Sequence, residues 1–376
     1  MSNNLKKSRS EEGIVLIIVL IVIAILTTLV VDLMYFTQID IEISSNTRDE
    51  LKSRYIAKSG VYVIAGTLKN EPLEKITTFA SNFGDQVGDS EGYWTIQIPF
   101  LPFGDGSLSI KVIDERSKIN LNALVSQTTN VVDQQVLAEL NELFRMLGVD
   151  ENKSSLFISS LTNWLDRPIS GKPNDQNTGG AKADYYAGLE NPYQIKDGPL
   201  DSIEEIRMIH GMDDEFFNLI KDYITVYPAD TRNERPDKKI NFSTAPKIVI
   251  KAAVKASAVS TGTGLKQDSG SPEDVDDDTA ELIAEAVIEA RKDDPIVNIN
   301  KVKKIVDTIG DIDPTLNIKS GLSGVVLSTG NSDVFSLTSV GSIGGEAPTS
   351  KVINAVVRKS RSSSSQGVNI ISWKER

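Results

Sequence analysis

The sequence predicts an α+β protein in which an N-terminal transmembrane helix carries an antiparallel sheet with a large inserted α-helical domain. Residues 14–31 are uncharged throughout. Strand-like runs stand near both ends of the remaining chain and helical patterns fill its middle, so one sheet receives a helical insertion. The predicted boundaries are a leader at 1–13, a long helix at 14–68 that spans the membrane to about residue 35, a sheet from 69–118 and 320–376, and an insertion at 119–319.

The apolar run at 14–31 has the length of a membrane span. It measures roughly 27 Å as a helix, close to the hydrocarbon thickness of a bilayer. Lys6, Lys7 and Arg9 precede it, and the positive-inside rule places them in the cytoplasm, with the bulk of the chain on the far side. A cleaved signal peptide is the alternative. The run is longer than a usual signal sequence and no A-x-A site follows it, which favours a retained helix.

Composition narrows the possible functions. The net charge of −12 argues against general attraction to nucleic-acid phosphates. Cysteine is absent, which excludes disulfides, thiolate metal sites and cysteine nucleophiles. His210 is the only histidine, and its position in a predicted turn indicates a structural role. No nucleophile and base occur together in a motif. The sequence therefore predicts a protein that is not an enzyme.

Strand signals stand on both sides of the helical middle. Tyr93–Phe100 and Leu108–Ile113 predict a hairpin, with Pro99, Pro102, Gly104 and Gly106 between the two strands. Near the C-terminus the predicted strands are Gly324–Ser328, Val334–Val340, Lys351–Arg358 and Gly367–Trp373.

The middle of the chain repeats itself. Ile119–Leu124 (INLNAL) returns as Ile240–Pro246 (INFSTAP), and the polar residues of each offer N-caps to a following helix. Leu200–Ile224 and Val302–Leu316 each predict a helix, a glycine turn and a helix. Such helix-hairpin-helix-like units bind DNA in many proteins. Here acidic residues dominate the first turn and balance the lysines of the second, whereas phosphate binding needs a net basic face. We therefore interpret them as a structural bundle.

A loop rich in oxygen ligands follows the Trp164-Leu-Asp166 sequence. Asp166, Asp175, Asn177 and Asp184 surround Gly179 and Gly180. Carboxylate and amide oxygens without histidine favour calcium over zinc. The alternative is a solvated loop held by Asx turns. The residue chemistry alone does not decide between the two.

The N-terminus resembles the prepilin signature of type IV pilins and pseudopilins: a short basic leader, then Gly13 directly before a hydrophobic helix. The resemblance implies cleavage between Gly13 and Ile14, with methylation as a further modification. Members of this class usually carry glutamate at the fifth position after the cut, where this chain has Ile18. In the fibre that glutamate is thought to neutralise the N-terminal amine of the subunit above. Its absence therefore either excludes the pilin interpretation or implies a tip subunit, which has no subunit above it.

Further motifs resemble the pseudopilin K family of type II secretion systems over nearly the whole chain, except the acidic segment Ser257–Asp278. They are Asp114–Asn122, Trp164–Asp166, Asp184–Tyr186, Asn191–Tyr193, Gly198–Glu205 and Ile370–Lys374. The resemblance implies a pilin-like fold and favours calcium, with Asp166 and Asp184 as the strongest ligand candidates.

This resemblance implies a minor pseudopilin at the tip of a periplasmic pseudopilus, which helps initiate a fibre that exports folded proteins across the outer membrane. The implied partners are other minor pseudopilins, the inner-membrane assembly platform and secreted substrates, without nucleic acid. The implied location is the inner membrane, crossed once, with most of the chain periplasmic. The alternatives are a minor subunit or adhesin of a type IV pilus, a membrane-tethered helix-hairpin-helix DNA-binding protein and a membrane-anchored hydrolase.

Overall fold

A single N-terminal helix, α1 (Ser8–Asn70), is the longest element of the protein. Its 63 residues correspond to about 95 Å. From Gly13 onward it is long and apolar enough to cross a membrane, with a mean hydropathy of 3.5 in its most apolar window. The computed structural model describes residues 8–71, 95–167, 179–228, 237–259, 275–309, 318–344, 348–360 and 367–376. The helix includes residues 8–13, which the sequence assigned to a separate leader.

The apolar half of α1 keeps its two threonine hydroxyls hydrogen-bonded. The Thr28 hydroxyl donates to the Ala24 carbonyl at 2.9 Å, and the Thr27 hydroxyl donates to the Ile23 carbonyl. Hydroxyls that bond back to the preceding turn leave no polar atom unpaired in hydrocarbon. The two threonines are therefore compatible with a membrane span.

The second half of α1 packs on a β-sheet. Ile56, Ala57, Val61, Ile64 and Leu68 recur at helical spacing and are buried against it. Gly60 makes the close approach possible, because a Cβ there would lie 2.3 Å from Ser339 Oγ. The helix and sheet are also joined where the Ser339 hydroxyl donates to the Ala57 carbonyl at 2.8 Å.

The sheet has five antiparallel strands in the order β1-β2-β5-β6-β7. Together with α1 and the helical middle it confirms the predicted α+β fold. The strands are β1 (Thr95–Phe103), β2 (Gly106–Asp114), β5 (Val334–Ile343), β6 (Thr349–Lys359) and β7 (Val368–Glu375).

The N-terminal hairpin differs from its prediction. Pro99 and Pro102, expected between the strands, lie within β1, and the turn is confined to Gly104 and Asp105. Both prolines are tolerated because β1 is an edge strand, so their missing N–H groups break no ladder. Gly104 has φ +59°, a conformation that glycine adopts without strain. Tyr93 and Trp94 lie outside the described residues.

The helical part lies between β2 and β5. It contains two short parallel strands, β3 (Ile119–Asn120) and β4 (Ile224–Thr225), and 3₁₀ helices at Glu115–Ser117, Leu121–Ala123 and Ile203–Met208. Its α-helices are α2 (Gln134–Met146), α3 (Glu151–Leu165), α4 (Ala183–Ala187), α5 (Asp214–Ile220), α6 (Lys247–Val259), α7 (Asp277–Asp293), α8 (Ile299–Thr308) and α9 (Ile318–Val325).

The hydrophobic core of the helical part runs from Ile119 to Val326, seven residues beyond the predicted end at 319. The predicted strand Gly324–Ser328 is wrong, since α9 continues to Val325 and Val326 makes only an isolated bridge to Ile240. Ile318, Leu322 and Val325 are spaced for one helix face and are buried. That face packs on α6, where Gly321 lies so close to Ser257 that a Cβ would meet its carbonyl oxygen at 1.9 Å.

The two repeated segments, Ile119–Leu124 and Ile240–Pro246, cap short turns and not the helices that follow them. The Asn120 side chain accepts from the Asn122 N–H, and that of Asn241 from the Ser243 N–H, each at 3.1 Å. The cap of α2 is Asp133, further along the chain. The two motifs share a second feature, because Ile119 pairs in parallel with Ile224 and Ile240 with Val326.

The predicted helix-turn-helix units are shorter than expected. The first has a six-residue 3₁₀ helix before its turn and the seven-residue α5 after it. Gly211, in the turn, has φ +93° and packs against the backbone of Phe157. In the second unit α8 and α9 stand on either side of Gly310, which lies outside the described residues.

Candidate functional site

The predicted cleavage position lies within α1. Gly13 and Ile14 are exposed, and a Cβ on Gly13 would meet no atom within 4 Å. Ile18 is exposed as well, and residues 13–31 contain no charged side chain. This part of the helix is therefore compatible with the hydrocarbon of a bilayer. It has no carboxylate that could form an ion pair with the amine of a neighbouring subunit.

The proposed calcium ligand Asp166 follows α3 directly, at its C-cap. One of its carboxylate oxygens, Oδ1, is buried and has no hydrogen-bond partner within the described ranges. Burial raises the pKa of Asp166, the charge of Asp197 raises it further, and that of Lys182 opposes the shift. Burial also raises the pKa of Asp197. A cation bound between Asp166 and Asp197 would stabilise the ionised form of both carboxyl groups.

The other predicted ligands are placed differently. Asp184 is exposed on the first turn of α4. Asp175 and Asn177 lie outside the described residues. Across the described ranges, no group of three or more His, Cys, Asp or Glu side chains could hold a metal ion. The donors present are nevertheless hard oxygens, which fit calcium, and Asp166 with Asp197 is the pair that the structure brings together.

Asp197 was not among the residues singled out from the sequence. It has φ +51°, unusual for a residue with a side chain, and stands in the Lys196-Asp-Gly-Pro199 turn. The next residue, Gly198, donates its N–H to the Trp164 carbonyl at 3.1 Å, two residues before Asp166. An Asp-Gly-Pro turn is a recognisable signal in sequence, but its proximity to Asp166 depends on tertiary contacts.

Several contacts fix the backbone around Asp166. Asn163 donates to the Ala181 carbonyl at 3.1 Å, and Gln127 donates to the Leu165 carbonyl at 3.0 Å. The Trp164 indole donates to Glu205 at 2.9 Å and stacks edge-on with Tyr186. A Cβ on Gly180 would lie 2.3 Å from the Ser159 carbonyl carbon, so the chain returns tightly against α3. These contacts therefore hold the described backbone around Asp166 in place.

The sheet and the helical part meet through buried charges. We call Asp114, Arg116, Asp237, Asn241 and Asp333 the junction cluster. The buried Asp114 accepts from the Arg116 N–H at 2.8 Å and from Asn241 Nδ2 at 2.9 Å. Arg116 forms ion pairs with Asp237 at 2.9 Å and with Asp333. Burial raises the pKa of Asp114, although its hydrogen bonds oppose the shift. The cluster was not predicted, because its members are far apart in sequence.

In the first hairpin turn, the basic residue is held by contacts within the protein. Arg207, its basic residue, pairs with Asp214 and lies 3.9 Å from the centre of the Phe217 ring. The His210 ring lies 4.1 Å from the Tyr185 ring, centre to centre and tilted by 44°, and the His210 backbone N–H donates to the Tyr186 hydroxyl. His210 therefore serves the packing of the turn.

Comparison with known proteins gives concordant results. The family described as type II secretion system (T2SS), protein K matches residues 117–229. Type II secretion system protein K of Pectobacterium carotovorum is 24% identical over 34% of this chain and 39% of its own length. The protein of the same name from Aeromonas hydrophila is 20% identical over 59% of this chain and 65% of its own. The matched parts thus span less than two thirds of either relative.

A solved structure has a similar fold. It is in the crystal structure of the GspK-GspI-GspJ complex from the type 2 secretion system of enterotoxigenic Escherichia coli. The similarity has a TM-score of 0.55 at 16% identity and covers 90% of this chain and 99% of that one. Together with the family match and the two relatives, it confirms the resemblance to type II secretion system protein K.

Proposed function

We propose that this chain, which resembles type II secretion system protein K, works as a minor pseudopilin at the tip of a type II secretion pseudopilus. There it would help initiate the fibre that exports folded proteins across the outer membrane. The observation that carries the proposal is the form of α1. This helix is apolar and without carboxylates over residues 13–31, and its far end is buried under a pilin-like sheet.

The partners follow from the same proposal. The similar solved chain is in a complex with GspI and GspJ, which supports two other minor pseudopilins as neighbours of this chain. The exposed apolar half of α1 supports an inner-membrane location, with the sheet and helical part in the periplasm. The assembly platform and secreted substrates complete the proposed set of partners. We propose neither an enzymatic activity nor nucleic-acid binding.

A tip position also accords with the bulk of the helical part. The described residues between 119 and 326 form a second core, separate from the core that α1 shares with the sheet. A mass of this size on a narrow shaft would obstruct a subunit adding above it, and Ile18 would offer no carboxylate to such a subunit. Both features favour a first subunit over a repeating one.

We expect processing between Gly13 and Ile14. In membranes of the source organism the protein should therefore begin at Ile14, as measured by mass spectrometry of its N-terminal peptide. Gly13→Val should preserve the leader. Gly66→Val is the matched control, because a Cβ at either glycine meets no atom within 4 Å and neither change disturbs packing. A protein that begins at Met1 or beyond residue 31 would remove the pseudopilin interpretation.

We further propose that the helical part binds calcium. Asp166 and Asp197 would supply carboxylate oxygens, and Asp184, Asp175 and Asn177 remain additional candidates. Calcium would neutralise the two carboxylates and link the end of α3 to the Asp197 turn. The support is the buried Oδ1 of Asp166, which has no hydrogen-bond partner among the described residues, together with the raised pKa values of both carboxyl groups.

Calcium should raise the melting temperature of the chelated and dialysed protein in detergent. Because the folded-state pKa of Asp166 is raised, the contribution of this group to stability in the absence of metal is fully present below its unfolded pKa of about 3.9 and is lost as pH rises through the folded value. Calcium binds the ionised form, so its effect should increase from about pH 4 to about pH 7.

Asp166→Asn should abolish most of the rise in melting temperature that calcium causes. Asp201→Asn is the matched control, since the Asp201 carboxylate pairs with Lys196 at 2.8 Å in the same region. An Asp184→Asn variant tests the ligand predicted from sequence. If the wild-type melting temperature does not respond to calcium, or if Asp166→Asn responds equally, the calcium proposal fails.

A further inference from the structure

A polar cleft separates the sheet from the helical part. It has a volume of about 470 Å³, and we call it the sheet-face cleft. Its floor is the sheet face opposite α1, where Ser336, Thr338 and Asn354 alternate with residues buried under the helix. Its roof is the 3₁₀ helix Ile203–Met208 with the segment that continues through β4. Clefts of this size between two packed units commonly bind ligands.

The carboxylates in the cleft are largely neutralised by the protein itself. Glu115 accepts from Lys118 at 3.2 Å and from the hydroxyls of Thr225 and Ser336. Glu204 pairs with Lys374 at 3.0 Å across the cleft. Asp222 is the third carboxylate on its lining, which also carries five cationic side chains. Arg207 pairs with Asp214, which is not part of the lining, so Lys221 and Arg376 are the cationic side chains of the cleft that remain for a ligand among the described residues.

Hydrogen-bond donors predominate among the polar groups of the cleft that the protein does not already pair. The Thr338 hydroxyl donates to Asn354 Oδ1 at 2.9 Å, which occupies the acceptor of that amide and leaves its NH₂ group for a ligand. Lys221 contacts the amide oxygen of Asn218, and neither Lys221 nor Arg376 forms an ion pair within the described ranges. A ligand rich in acceptors and carrying negative charge complements this set.

Apolar walls accompany the donors. Ile203, Phe217 and Val226 line the roof beside the charged groups. A small inorganic anion would gain nothing from these walls, whereas an extended peptide places alternate side chains on opposite sides. We propose that the sheet-face cleft binds an extended acidic peptide segment, with Lys221 and Arg376 contacting its carboxylates and Asn354 donating to its carbonyl groups.

The test uses the full chain in neutral detergent and a fluorescein-labelled octapeptide of alternating aspartate and valine. Fluorescence anisotropy should show binding that weakens in about 0.5 M sodium chloride, where charges are strongly screened. A peptide with lysine for each aspartate should not bind. Lys221→Glu combined with Arg376→Glu should weaken binding about tenfold, as expected for two reversed exposed charge pairs.

Lys304→Glu is the control, because Lys304 is an exposed lysine on α8 outside the cleft. Asn354→Ala should weaken binding without changing its salt dependence. Equal melting temperatures will establish that the variants are folded. The proposal is overturned if the acidic peptide does not bind, if the double charge reversal binds as the Lys304→Glu control does, or if inorganic phosphate alone displaces the peptide. Each of these results would leave the proposed role in secretion unaffected.

Discussion

Replacing Arg116 with methionine should lower the free energy of unfolding by about 3–5 kcal/mol, the usual cost of removing one partner from a buried ion pair. Arg116 is 2% exposed and pairs with Asp237 and Asp333. Without the guanidinium, the buried Asp333 would lose its closer cationic partner and keep only the longer pair with Arg358, at 3.5 Å, among the described ion pairs. The loss should appear in urea unfolding of the full chain in detergent.

Arg145→Met is the matched control for this variant. Arg145 also has two carboxylate partners, Glu142 and Asp277, but its side chain is 49% exposed. Exposed ion pairs contribute at most about 1 kcal/mol, so this change should have a small effect. Single-tryptophan versions that retain Trp164 or Trp373 would follow the helical core and the sheet core separately. Equal losses from the two substitutions would contradict the importance of the junction cluster.

Replacing Glu139 with leucine should raise the free energy of unfolding at neutral pH by about 1–3 kcal/mol, because a buried polar group without a partner costs this much. Glu139 is fully buried on α2, which packs on α6. Neither carboxylate oxygen has a hydrogen bond of good geometry within the described part of the chain. Leucine would fill a similar volume without the desolvation cost.

Burial raises the pKa of Glu139 well above its ordinary value, with the charges of Lys238 opposing and Asp133 adding to the shift. The stability that protonated Glu139 contributes is therefore fully present below the pKa of this group in the unfolded chain. It is lost as pH rises through the pKa of Glu139 in the folded protein. Glu139→Gln should remove this loss. Glu142→Leu, on the same helix, should not stabilise, because it removes pairs with Arg145 and Lys255. A Glu139→Leu variant less stable than wild type would refute this account of the buried carboxylate.

Local patterns were sufficient to predict the elements whose signals are local. The apolar run predicted the apolar half of α1 as a helix, and the strand-like runs predicted β5, β6 and β7 to within a few positions. The errors occurred where tertiary context decides. Pro99 and Pro102 indicate a loop unless the strand is known to be an edge. The segment Gly324–Ser328 resembles a strand in sequence. Its first residues belong to α9 because Leu322 and Val325 are buried on the helix face that packs on α6.

The site shows the same limit. Asp166 is a candidate ligand from the oxygen-rich sequence around it, whereas Asp197 becomes a candidate only through a tertiary contact, the hydrogen bond from the Gly198 N–H to the Trp164 carbonyl. The junction cluster brings together residues from position 114 to position 333, and no sequence spacing reveals that they meet. Lys374 and Glu204, which pair across the sheet-face cleft, are likewise 170 positions apart.

The identity of the proteins that associate with this chain tests the central claim most directly. The chain, tagged at its C-terminus and expressed from its own locus, would be extracted with mild detergent, and the co-purifying proteins would be identified by mass spectrometry. We predict at least two other minor pseudopilins of a type II secretion system, in amounts close to that of the tagged chain. Recovery of type IV pilus subunits in their place, or of no pilin-like protein at all, would contradict a role at the tip of the secretion pseudopilus.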